Sequence, residues 1–103
     1  MKSIIQIDDD RCFVCHMAYG TQWHHIFGKN PQRSYSEHDG LKIRVCADCH
    51  DRIHFDKDDS SQLMEKYHKL GQEKWEAYYG PKMIREGKDP RQAFIERYGK
   101  NYL

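Results

Sequence analysis

Eight residues of this chain have the side chains and the spacing to hold metal ions or move protons. Four are cysteines in two Cys-x-x-Cys pairs, Cys12 with Cys15 and Cys46 with Cys49, thirty residues apart. Two such pairs suit one tetrahedral ion held by four thiolates, each pair on its own knuckle. Soft sulfur ligands favour Zn²⁺, which needs no redox control. A four-thiolate site has no open position for a substrate, so its role is structural. Two disulfides and an iron centre are the alternatives. The other four residues are histidines: the adjacent His24 and His25, then His50 and His54. Neighbours on a strand point to opposite faces, whereas residues four apart on a helix share one face and can share one ion.

The elements that position these residues must fit into one domain. At 103 residues the chain is long enough for one and too short for two. With 38% hydrophobic and 32% charged residues, its core must be small. A small core usually needs a staple such as disulfides or a metal. The N-terminus "MKSIIQIDDD" has only a brief apolar stretch before three aspartates, unlike a secretory leader. No apolar run approaches a membrane span. Together these point to a reducing cytoplasm, where paired cysteines read as metal ligands. Residues 1 to 60 carry eight Lys/Arg against ten Asp/Glu, and residues 61 to 103 carry nine against six. The basic excess is therefore C-terminal, which permits a nucleic-acid partner without demanding one.

"SIIQI" reads as a short lead-in strand or packed arm, and "DDDRCFVCHMAYG" as a turn carrying the first cysteine pair. "TQWHHIF" has the bulky residues of a strand, with Trp23 and Phe27 expected in the core. "GKNPQRSYSEHDG" is punctuated by Gly, Asn-Pro and Asp-Gly and reads as a loop. "LKIRV" alternates Leu41, Ile43 and Val45 with Lys42 and Arg44, a half-buried strand, and "CADCHDRIHF" opens a helix. "DKDD" at 56 to 59 reads as a solvated loop. Beyond it, Leu63, Met64, Tyr67, Leu70 and Trp75 fall near helical spacing, with Ser60 or Ser61 as N-cap and Gly80-Pro81 as a stop. Gly71 marks a break or a close-packing point. In "DPRQAFIERYG", Asp89 caps, Pro90 takes the first helical position and Gly99 follows the end. His16 reads as a surface residue, and His68 has no evident role.

The order strand with His-His, loop, strand, helix with His-x3-His is a ββα unit. Here the chain resembles the HNH endonucleases, the ββα-metal nucleases. The resemblance rests on "WHHIFG" at 23 to 28 and "LKIRVCADCHDRIH" at 41 to 54 within the "CFVC…CADC" frame, and covers about residues 12 to 55. The tail "FIERYGKNYL" is similar to the ends of small phage and prophage members. The implied fold class is α+β: one domain over 1–103, with a zinc-stapled ββα core at 12–55 and a helical extension at 60–99.

The resemblance implies that His24 ligates a catalytic divalent cation with His50 and His54. It also implies that His25 is the general base, taking a proton from the water that attacks a phosphodiester. An imidazole with a pKa near 6.5 suits that task, and a divalent cation suits stabilisation of the leaving oxygen. Mn²⁺, Ni²⁺ or Zn²⁺ fits three imidazoles better than Mg²⁺, which prefers oxygen ligands. Lys29, Arg33 and Arg44 are candidates to hold substrate phosphate. One residue departs from the family. The asparagine nine positions before the first helix histidine is here Leu41, so a backbone carbonyl, His38 or Asp39 would have to orient the base. The expected function is a metal-dependent DNA endonuclease in the cytoplasm of a bacterium or phage-infected host. It would carry a structural Zn²⁺, with a homodimer or a phage or recombination partner engaged through the C-terminal helices. The alternative is a non-catalytic zinc-knuckle module that binds nucleic acid or serves assembly.

Overall fold

A computed structural model describes residues 1–55 and 60–103; the "DKDD" stretch lies outside the described residues. The architecture is α+β, with a two-stranded sheet and four helices among the described residues. Strand β1 (Thr21–His25) pairs antiparallel with β2 (Lys42–Cys46) in the register Trp23↔Arg44, His24↔Ile43, His25↔Lys42. Helix α2 (Ala47–Phe55) leaves β2 directly, so Cys46 ends the strand and Cys49 sits in the first helical turn. Leu41, Ile43, Val45 and Ile53 are almost completely buried. The alternation read in "LKIRV" therefore marks the inward face of β2.

The lead-in forms a packed arm, with no strand assigned to it. Ser3 Oγ donates to the Lys42 carbonyl (2.6 Å), and the Arg44 amide donates to Gln6 Oε1 (2.7 Å). The Phe13 amide then reaches the Arg44 carbonyl (2.8 Å). Arm and knuckle together satisfy the outer edge of β2, which would otherwise present unpaired backbone groups.

The segment after β1, read as a loop, instead contains helix α1 (Gln32–Asp39). Its only strongly apolar residue is Tyr35, so hydrophobic periodicity gave no sign of it. Polar groups hold it instead. Ser36 is fully buried and exchanges hydrogen bonds with the Phe27 backbone. The side chain of Asp39 accepts from Trp75 Nε1 (2.9 Å), Tyr98 Oη (2.7 Å) and Arg97 Nε and Nη2 (2.6 and 2.9 Å). Gly40 ends the helix in the left-handed region at φ 79°, and a Cβ there would lie 2.5 Å from the Lys2 carbonyl oxygen, so the position requires glycine.

Helix α3 (Ser60–Arg85) passes through Gly80-Pro81, where the sequence predicts a stop. Proline at 81 removes the amide that would bond the Ala77 carbonyl. Ala77 is exposed, so water can serve that oxygen. The last turn is meanwhile packed against the core through Met83. Gly71 is a close-packing point: a Cβ would sit 2.8 Å from Ile26 Cγ2 and 3.2 Å from Phe27 Cε2. Helix α4 (Pro90–Tyr98) follows its sequence signals, with the Asp89 side chain accepting from the Arg91 amide and Gly99 left-handed after the end. Phe27 is buried as expected. Trp23 is not, with 40% of its surface exposed. It shares the outer face of β1 with His25, where Arg44 (4.4 Å to the ring centre) and Lys42 (5.0 Å) cover it.

Candidate functional site

The four cysteines converge. Cys12 and Cys15 come from a knuckle closed by the bonds Cys12 N–H to Met17 O and His16 N–H to Cys12 O, both 2.8 Å. Cys46 and Cys49 come from the β2–α2 junction, and all four sulfurs lie within 4.8 Å of one another. The Cys15 and Cys46 sulfurs are 3.7 Å apart. A tetrahedral ion with Zn–S bonds of about 2.3 Å requires sulfurs about 3.8 Å apart, so the donor set fits Zn²⁺. None of the four is in a disulfide. Burial alone would raise the Cys12 pKa, but the backbone amides around the sulfur overcome it and lower the value to about 6. Burial and the neighbouring sulfurs push the Cys49 thiol far up. Without a cation the cluster accommodates the first negative charge and resists the next, which is the electrostatic condition a dication relieves. His16 is exposed in a left-handed turn at φ 67°.

The histidine ligand atoms of His24, His50 and His54 also lie within 4.8 Å of one another, a separation that could hold an ion. His24 projects from β1, and the other two lie one turn apart on α2. The His24 ring centre is 5.6 Å from His50 and 5.4 Å from His54. Burial, then the proximity of His54 and His50, lowers the His24 pKa to about 4; burial also lowers His54. At neutral pH His24 is therefore in the neutral form that binds metals.

His25 faces the other way along β1 and meets helix α1. Its Nε2 is 2.7 Å from Glu37 Oε2, and Lys42 Nζ donates to both carboxylate oxygens of Glu37 at 3.0 and 3.1 Å. The bond to His25 and that to Lys42 lower the Glu37 pKa. Neither His38 nor Asp39 orients His25. The Asp39 carboxylate is committed to Trp75, Arg97 and Tyr98, and exposed His38 turns to Asp39 (3.2 Å). Leu41 is fully buried in the core.

A cleft of about 470 Å³ opens beside these groups, with His24, His25, His54, Lys29 and His68 among its lining residues. Of the three phosphate candidates, Lys29 is the one at this cleft. Arg33 is exposed on α1, and Arg44 lies over Trp23 with its Nε 3.7 Å from Asp10. Two residues were missed. His68 stacks on Phe27 with ring centres 4.9 Å apart and forms part of the cleft wall. Glu37 carried no usable signal, since its segment read as loop and its contact spans twelve residues. No protein-family model, curated protein or solved structure matches the chain.

Proposed function

We propose that the chain is a metal-dependent endonuclease of the HNH type, hydrolysing phosphodiester bonds in DNA. The observation that carries this reading is the meeting of His24, His50 and His54 at one point, with His25 next in the chain and a separate four-cysteine cluster free to serve structure. A binder needs the cysteines alone. His24, His50 and His54 would hold one divalent cation, which when bound supplies Lewis-acid stabilisation of the leaving oxygen. His25 accepts a proton from water as the water oxygen bonds to phosphorus. The bond from phosphorus to the 3′-oxygen breaks, the 3′-oxygen takes a proton from solvent, and the products carry a 5′-phosphate and a 3′-hydroxyl. Lys29 lines the same cleft and would receive a phosphate oxygen. The remaining expectations fit this reading: zinc at the cysteines, a cytoplasmic setting and a partner met through the C-terminal helices. Exposed Tyr78 and Ile84 on α3 are candidate contacts for that partner.

The test is nicking of supercoiled plasmid. Loosely held metal is removed, the cysteine-bound zinc is kept, and Mg²⁺, Mn²⁺, Ni²⁺ or Zn²⁺ is added in turn. At least one ion should restore nicking to the wild type, and His25→Ala purified identically should lack it. Cleavage at the mutant's level with every ion would favour the second reading, a non-catalytic zinc-knuckle binding or assembly module. The buried Leu41 in place of the family asparagine is the observation on that side.

A further inference from the structure

We propose that Glu37 is the positioning residue for His25, fixing its imidazole as the Nε2–H tautomer so that Nδ1 is the atom that takes the proton. The inference rests on the nuclease reading for its catalytic consequence and on geometry for the tautomer. A carboxylate only accepts hydrogen bonds, so a 2.7 Å contact from Glu37 Oε2 to His25 Nε2 requires the hydrogen on Nε2. The lone pair is then on Nδ1, and a proton arriving there leaves an imidazolium beside a negative charge that stabilises it, the logic of an acid–histidine pair.

Glu37 is itself held in place. Lys42 is the register partner of His25 on β2, its side chain is only 9% exposed, and its ammonium donates to both oxygens of Glu37. The helix that carries Glu37 is anchored two residues later, where Asp39 bonds Trp75, Arg97 and Tyr98. The chain thus replaces an orienting group at position 41, now a core leucine, with one delivered from across the intervening helix.

The experiment uses the full chain with its cysteine-bound zinc, as wild type, Glu37→Ala and Glu37→Gln. Nitrogen-15 NMR of the imidazoles across an alkaline pH series reads the tautomer without any added ion. Plasmid nicking with Mn²⁺ at varied plasmid concentration reads kcat and KM separately. His25 should be the Nε2–H tautomer in the wild type and mixed in Glu37→Ala. In Glu37→Ala kcat should fall about 10- to 100-fold, the usual effect of losing an orienting partner, with KM unchanged. Glu37→Gln carries no charge and can offer its amide N–H as readily as its oxygen to Nε2, so it should leave the tautomer mixed and kcat well below that of the wild type. An Nδ1–H tautomer in the wild type, or an unchanged tautomer and kcat in Glu37→Ala, would each overturn the proposal. If none of Mg²⁺, Mn²⁺, Ni²⁺ or Zn²⁺ lets the wild type nick, the nuclease reading fails, while the tautomer still decides whether Glu37 holds His25.

Discussion

Cys49 and His50 are neighbours on α2, yet each belongs to a different kind of cluster. The sulfur cluster supplies four donors, three of them on buried residues, and a tetrahedral ion there would have no position left. The imidazole cluster supplies three donors at the edge of a cleft, so an ion there would keep positions for water and phosphate. An ion in the first arrangement would hold two chain segments together, and one in the second would be open to exchange. Consecutive residues of one helix thus serve a closed cluster and an open one, and ligand number and enclosure are what distinguish them.

That contrast can be broken at either end, and the largest effect is expected at the sulfurs. Cys49→Ser should abolish zinc retention and the cooperative thermal transition, read by metal analysis and circular dichroism, because small metal-stapled domains fold with their ion. His24→Ala should leave both intact; a matching loss of fold there would erase the distinction. The next effect is at His25. His25→Ala should lower plasmid nicking by about 10²- to 10⁴-fold, the range for a general base, with zinc content and melting unchanged.

Asp39→Asn sharpens the comparison by loosening α1 while sparing the knuckle. Breaking a buried ion pair costs about 3–5 kcal/mol, and Arg97 is 31% exposed, so about 2 kcal/mol is expected here from urea unfolding. Burial would raise the Asp39 pKa, but Arg97, Tyr98, His38 and Trp75 reverse this and hold it low. A carboxyl depressed in the folded state contributes stability above its unfolded pKa, near 4, and loses it as pH falls through the lower folded value. The difference in urea midpoint between the wild type and Asp39→Asn should therefore shrink as pH falls below about 4, where thiolate protonation releases zinc from both alike. The smallest effect is expected from Gly71→Ala. Its Cβ meets Ile26 and Phe27, the two residues after His25, and overpacking of this size costs about 1–2 kcal/mol. Nicking should suffer more than zinc retention.

What the sequence made legible was whatever local chemistry or periodicity determines. The cysteine knuckles, the two strands, the histidine-bearing helix and α4 with its Asp89, Pro90 and Gly99 signals all belong to that class. Helix α1 was illegible because its stability comes from Ser36 and Asp39 bonding to distant elements, which leaves no apolar stripe. Pro81 misled because an exposed carbonyl and a packed last turn outweigh a local breaker. Trp23 was placed inside by its composition, yet its position on β1 puts it on the outer face. Glu37 was invisible for the same reason as α1: with no helix anticipated there, nothing aimed its carboxylate at His25. Helical spacing joins only His50 to His54; that His24 meets them was implied by the resemblance to the HNH nucleases.

Helix α2 has nine residues, far below the length at which an isolated helix holds in water. With zinc fixing its first turn, each added turn propagates from a nucleus already formed. Sulfur ligation would then come first, and the meeting of His24 with His50 and His54 would follow from it. A newly made chain starved of zinc would lack the ordered helix that brings His50 and His54 to His24.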